Sequence, residues 1–259
     1  MKKVLLIALS VIIFASTLTG CTTKRTTLEN IKEKQEMTFA MTGGYPPFNF
    51  IDDNGELAGF DIDIANALAE EMGVKAVPIT TAWDGIIAGL VGGRFDTIIG
   101  SMTITEARME EVNFTEPYYY DGAQFFAAAD STLNSIEELE NGRVGAVTGT
   151  TFHDALKEMD NITEILQFES DVDNFMALEQ GRSDGLVTGK FVGLNAEEEY
   201  GVALKPVGEL LYAEDIAIAV RKEDDDFLAE LNAALVAIQE NGKYEEISQK
   251  WFGQNILEK

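Results

Sequence analysis

The stretch Ser101–Val112, SMTITEARMEEV, places a cation where a helix start disfavours one. Thr105 reads as a helix N-cap, and the position three residues on favours Glu or Gln, which would complete a capping box. Arg108 stands there instead. In a first turn it faces the positive end of the helix dipole, at a cost of about 0.3–1 kcal/mol. Helical side chains lean toward the N-terminus, so the guanidinium can project back over Thr103 and the end of the preceding TIIGS segment. A planar five-donor fork there suits bidentate capture of a carboxylate. The competing reading is a surface arginine paired with Glu106 or Glu111, a contact of small energetic weight.

A second candidate anion site lies in AVTGTTFHDAL, which reads as a strand, a glycine turn and a helix starting near Thr151. Thr151 and Asp154 match the T-x-x-D capping pattern. Free N–H groups at that helix start, with the Thr150 and Thr151 hydroxyls, would bind a carboxylate. Ordinary capping is the alternative, and it needs only one of the two threonines. GGYPPFNF sets Tyr45 and Phe48 around two prolines at a strand end, and Trp83 opens a helix. Tyr45 and Trp83 both follow strand ends and are expected in a cleft. Phe50 and Trp251 are expected to pack in the core. His153, the sole histidine, reads as a solvent-facing helix residue in preference to a general base. The residues suggest no metal-ligand cluster, phosphate loop or cysteine nucleophile, so no catalytic residue, metal or cofactor is expected.

The elements that must position these residues follow from the apolar pattern. The chain has 259 residues, 46% of them hydrophobic, enough for one large domain or two lobes. Its 45 acidic residues against 19 basic ones give a net charge of -26, which argues against a nucleic-acid partner. From Met37 onward short apolar runs alternate with helical patterns: MTFAMT, FDIDIANALAEEMG, VKAVPIT, AWDGIIAGLVGG and RFDTIIG form a βαβαβ unit. In the first of these helices Ile64, Ala65, Leu68, Ala69 and Met72 share one face. The order recurs in RVGAVTG, TFHDALKEM, ITEILQF, DNFMALEQG and RSDGLVTG. Both units close with Gly-Arg-x-Asp before an apolar strand, at Gly93–Asp96 and Gly181–Asp184. The expectation is an α/β protein of two similar lobes, each a mostly parallel sheet flanked by helices. DGAQFFAAAD (121–130) and EDIAIAVRKED (214–224) alternate as extended crossovers, with hinges expected at about 121–128 and 213–219. Lobe 1 would comprise 37–124 and 217–259, and lobe 2 would comprise 125–216. The cleft between them should be lined by 42–48, 100–108, 148–151 and 188–190, at the carboxyl ends of strands.

The N-terminus reads differently. Met1-Lys-Lys precedes an apolar run from Val4 to Phe14, short for a membrane span and suited to a signal peptide of residues 1–20. It ends in Leu18-Thr-Gly-Cys21, which resembles the lipobox of bacterial lipoproteins. That resemblance implies cleavage before Cys21 and a lipid on its sulfur as membrane anchor. Cys21 is the only cysteine, so no intramolecular disulfide is expected. The polar residues 21–36 are expected to form a tether.

Several of these segments in order, GGYPPFNFIDDNGELAGFDIDIANALAEEMG, AWDGIIAGLVGGRFDTIIGSMTITEARMEEVNFTEPYY, GRVGAVTGTTF and NGKYEEISQKWFG, resemble the bacterial extracellular solute-binding proteins of the polar amino-acid uptake family. The resemblance covers roughly 37 to 253 and implies the two-lobed periplasmic-binding fold and capture of an amino acid for an ABC permease by a monomer. It implies that Tyr45 and Trp83 sandwich the ligand. Ser101, through its carbonyl, and Thr103 would contact the ligand amine, while Arg108, Thr150 and Thr151 would hold its carboxylate. The sequence departs from the family twice. Gly189 stands where members commonly carry an Asp that pairs with the ligand ammonium, and Lys190 follows it. Either another acid substitutes, with Asp121, Asp173 and Glu214 as candidates, or the ligand is not a standard α-amino acid. Thr42 stands where binders of basic amino acids often carry an acid. A dehydratase on this fold and a ligand-sensing domain are the alternatives.

Overall fold

The computed structural model describes residues 25–258. The expected leader and Cys21 lie outside them. Helix α1 (Thr27–Lys34) leads into strand β1 (Glu36–Met41), and a small antiparallel sheet follows, made of β2 (Gly44–Tyr45), β3 (Asn49–Ile51) and β4 (Leu57–Ala58). Next come α2 (Phe60–Glu71), β5 (Lys75–Thr80), α3 (Ile86–Val91), β6 (Thr97–Thr103), α4 (Glu106–Glu111) and β7 (Val112–Phe114). Strand β8 (Tyr119–Ala128) crosses to β9 (Gly142–Val147), α5 (Thr151–Lys157), β10 (Ile162–Phe168), α6 (Asp171–Glu179), β11 (Gly185–Gly189), α7 (Lys190–Tyr200) and β12 (Leu204–Pro206). Strand β13 (Tyr212–Arg221) returns, and α8 (Asp225–Glu240) and α9 (Lys243–Phe252) pack back on α2.

Both expected βαβαβ units are present. β1 lies parallel between β5 and β6, and β9 lies parallel between β10 and β11. The crossovers pair antiparallel with each other, Tyr212 opposite Ala123 through Ile216 opposite Tyr119. They therefore form the middle of one continuous sheet, β10-β9-β11-β8-β13-β6-β1-β5. Both expected lobe boundaries fall within these shared strands. The Gly-Arg-x-Asp repeat has the same role twice. Asp96 Oδ2 accepts from the Thr38 amide at 2.8 Å, and Asp184 Oδ2 accepts from the Arg143 amide at 2.9 Å. Each carboxylate fastens the start of the central strand of its own lobe.

Burial follows the helical period. Ile64, Ala65, Leu68, Ala69 and Met72 of the α2 segment are all buried, as are Leu231, Ala234, Leu235 and Ile238 of α8. The tether expectation fails for its second half. Thr26 and Glu29 form a complete capping box, and α1 buries Ile31. Thr27 Oγ1 donates to Asp224 Oδ1 at 2.7 Å and accepts from Arg221 Nη2 at 2.9 Å, beside the buried Arg221–Asp224 ion pair. Two apolar residues, Leu28 and Ile31, on a short polar helix are a weak periodic signal, and the polar docking partners lie far off in sequence, on Arg221 and Asp224.

Candidate functional site

Thr105 caps α4 as expected, its hydroxyl accepting from the Arg108 amide at 3.2 Å. The Arg108 side chain turns back, and Nη1 donates to the Thr103 carbonyl at 2.9 Å. The guanidinium carbon lies 5.4 Å from the centroid of the Trp83 ring. Burial pulls its pKa below the usual arginine range, opposed chiefly by the nearby Glu214 carboxyl. Neither Glu106 nor Glu111 pairs with it among the described residues. Trp83 sits in the loop before α3, not inside it, because Gly85 is the helix cap. Its indole Nε1 donates to the Gly149 carbonyl of the other lobe at 3.1 Å, so the lobes meet across the cleft.

The cavity between the lobes is lined by Thr42, Tyr45, Trp83, Ser101, Thr103, Arg108, Thr150, Thr151 and Asp171, among others. It encloses about 470 Å³ of empty space, part of it continuous with solvent. Of the sequence-predicted residues, Tyr45, Trp83, Ser101, Thr103, Arg108, Thr150 and Thr151 come together there, and Gly189 does not.

The second lobe's threonines divide their work. Thr150, not Thr151, caps α5, accepting from the His153 amide at 3.2 Å and donating to the Val147 carbonyl at 2.7 Å. Thr151 is thereby released, and its hydroxyl donates to Glu214 Oε1 at 2.6 Å. Thr103 Oγ1 of the first lobe donates to the same oxygen at 2.8 Å. Glu214, on the returning crossover, therefore ties both lobes together behind Arg108. Burial raises its pKa, and these two hydroxyls oppose the shift. His153 is buried at 7% exposure, against expectation, and lies outside the cavity lining.

A buried polar network forms the floor. Asp61 is fully buried and accepts from Tyr118 OH at 2.6 Å, Asn49 Nδ2 at 2.7 Å and Ser101 Oγ at 2.9 Å. Burial lifts it to about 6 despite these three donors. Ser101 has φ 61, a left-handed conformation rare outside glycine. Its amide donates to Tyr118 OH at 3.0 Å, so both its amide and its hydroxyl are fixed inward. Asn49 carries the network on to the rim, accepting from Thr42 Oγ1 and from the Gly43 amide.

The acids around Gly189 were only partly legible. A Cβ at Gly189 would stand 2.5 Å from the Tyr45 hydroxyl and 2.7 Å from Asp121 Oδ2. A side chain there would have to displace Tyr45, so Gly189 lies behind the aromatic wall and not in the cavity. Asp121 lies there as well, lifted to about 7 by burial. Lys190 is exposed, over the Phe191 ring. Asp173 is also exposed, its carboxylate accepting from the capping Ser170 hydroxyl at 2.8 Å. The acid in the cavity is Asp171, which the sequence reading missed. It is 4% exposed, and burial raises it to about 7. The rule that ligands gather at carboxyl ends of parallel strands would have found it, because β10 ends at Phe168.

A two-lobed α/β body, with two strands crossing between the lobes and a cation at the cleft, defines a binding protein for a small carboxylate-bearing solute. Residues 37–254 match the bacterial extracellular solute-binding proteins, family 3, and the chain belongs to that family. It is 34% identical to the ABC transporter arginine-binding protein 1 of Escherichia coli strain K12 over 85% of this chain and 92% of that one. It is 29% identical to the L-cystine-binding protein TcyJ of the same strain, over 88% and 87% of the two chains. Among solved structures it is similar to an ancestral amino acid-binding protein, AncCDT-1, described as a precursor of cyclohexadienyl dehydratase, with TM-score 0.83, 34% identity and coverage of 88% and 100%.

Proposed function

We propose that the protein captures an amino acid by closing its two lobes and delivers it to an ABC permease, without chemical turnover. One observation carries the reading: the Arg108 guanidinium lines the cavity, held by the Thr103 carbonyl and the Trp83 ring, with no carboxylate paired to it among the described residues. A ligand carboxylate completes that arrangement. Tyr45 and Trp83 supply apolar walls, and Ser101, Thr103, Thr150 and Thr151 supply polar contacts from both lobes. Relatives that bind arginine and cystine support an amino-acid ligand. The leader ending in Cys21 supports an extracytoplasmic body held at the membrane by lipid. A thermal-shift screen of the protein amino acids and L-cystine tests the ligand class. Stabilisation by at least one is expected, and none would overturn the reading.

One observation favours a second reading. A desolvated carboxyl near neutrality, such as Asp171, is suited to general-acid catalysis. A dehydratase would consume its bound solute. NMR of the amino acid after prolonged incubation with the protein is expected to show it unchanged.

A further inference from the structure

Helix α6 uses its first turn in an orderly way, with one residue left over. Ser170 is the N-cap, its hydroxyl accepting from the Asp173 amide at 3.2 Å and donating to the Asp173 carboxylate at 2.8 Å. Cap and carboxylate thus satisfy each other. Asp171, the first helical residue, takes no part in this exchange. Its carboxyl is 4% exposed and lines the cavity that Arg108 also lines, and its Oδ1 is buried without a hydrogen-bond partner. A buried carboxyl oxygen left unpaired is costly, so a partner that completes it is strongly favoured.

The surroundings are short of positive charge. The carboxyls of Asp171, Asp121 and Glu214 all act on the Tyr45 hydroxyl and, with burial, hold its pKa well above the usual tyrosine value. The Thr188 hydroxyl of β11, also buried, lies beside the Asp171 carboxyl and the Tyr45 hydroxyl and opposes both shifts only in part. Arg108, which lines the same cavity, supplies a cation suited to a carboxylate. A zwitterion reaching from Arg108 to Asp171 would satisfy both ends.

We infer that Asp171 is the residue that holds the ligand's α-ammonium group, in place of an acid at position 189. Gly189 cannot serve, because the Tyr45 hydroxyl occupies the space its side chain would need. The ligand class is accordingly α-amino acids with a free ammonium. Amino acids lacking that group lose the contact with α6. This assignment rests on the amino-acid reading above.

The test pairs two proteins with matched ligands. Calorimetry compares the wild type and Asp171→Asn on L-arginine, L-glutamine and L-cystine, each beside its counterpart without the α-amino group: δ-guanidinovalerate, glutaramate and dithiodipropionate. The wild type is expected to prefer at least one amino acid over its counterpart by about tenfold or more, the difference between a charged and a neutral hydrogen-bonded partner. Asp171→Asn should abolish that preference while still binding the counterpart, which reports an intact pocket. A preference that survives in the variant overturns the assignment and leaves the transport reading standing. So does an equal loss for both members of a pair, whereas a wild type that binds only the des-amino acids overturns the assignment and the amino-acid reading together. Binding of none of the six, together with no stabilisation by any amino acid in the thermal screen, overturns both readings.

Discussion

The first turns of α4 and α6 line one cavity, and each contributes an ionisable side chain to it. They differ in how that charge sits with its own helix. Arg108 is a cation at the positive end of a dipole, a placement that local energetics disfavour. Asp171 is an anion at the first position of a helix, which the same dipole favours. Arg108 therefore announces itself in the sequence, whereas Asp171 looks like routine helix chemistry. What singles out Asp171 is three-dimensional: Ser170 and Asp173 already satisfy the cap, and the remaining carboxyl is buried with an unpaired oxygen. A candidate residue that breaks a local rule can be read from sequence, and one that obeys the rule is hidden by it.

The sharpest way to break this comparison is to remove the cation. Arg108→Ala should weaken amino-acid binding by ~2–5 kcal/mol, because the ligand carboxylate would be desolvated without a partner. Folding stability should change much less, since Arg108 forms no ion pair among the described residues. Calorimetry and thermal melting separate the two effects. Unchanged affinity would remove Arg108 from the site.

The two ends should also differ in pH response. Asp171 titrates at about 7 in the folded protein because burial disfavours its charged form. A raised pKa means that the folded chain holds the proton more tightly than the unfolded one. The associated stability is present at low pH and is lost as pH rises from about 4 to about 7. Asp121, at about 7, and Asp61, at about 6, act in the same direction, so the wild type alone cannot isolate Asp171. Asp171→Asn does, because the amide does not titrate. Its stability relative to the wild type should improve with pH across this window, by at most ~1.4 kcal/mol per pH unit. Arg108→Ala should show the opposite slope, because Glu214 loses the nearby cation that opposes its raised pKa. Chemical denaturation at several pH values checks both, and parallel profiles for the wild type and Asp171→Asn would show that Asp171 ionises normally.

Much of the architecture was legible because it depends on periodicity. The α2 face, both βαβαβ units and the two crossovers follow from apolar spacing, and the Gly-Arg-x-Asp repeat marks equivalent strand anchors. The lining of the cavity by Tyr45, Trp83, Ser101, Thr103, Arg108, Thr150 and Thr151 agrees with their positions at strand ends. What escaped was decided by distant partners. Helix α1 is ordered by Arg221 and Asp224, and His153 is buried by the way α5 packs. Thr150 took the cap that the T-x-x-D pattern assigned to Thr151, which released Thr151 to meet Glu214. Gly189 is explained only by the position of the Tyr45 ring.

The smallest expected effect concerns the contact that joins the two ends. Trp83 Nε1 donates to the Gly149 carbonyl across the cleft at 3.1 Å, while the Trp83 ring lies under Arg108. Trp83→Phe keeps an aromatic face for the guanidinium but removes the donor. Gly149 is exposed, so its carbonyl can turn to water when the indole is gone. The loss should then be that of one ordinary hydrogen bond, about 0.5–1.5 kcal/mol. It falls on the arrangement in which Trp83 and Gly149 meet across the cleft. A ligand that binds only that arrangement loses at most the same free energy in apparent affinity, roughly tenfold or less. The dissociation rate should rise while the association rate stays nearly constant, and surface plasmon resonance with the best amino acid from the thermal screen measures both. A loss as large as that of Arg108→Ala would show that the indole itself grips the ligand. The cleft would then be held by its aromatic wall as much as by its two charges.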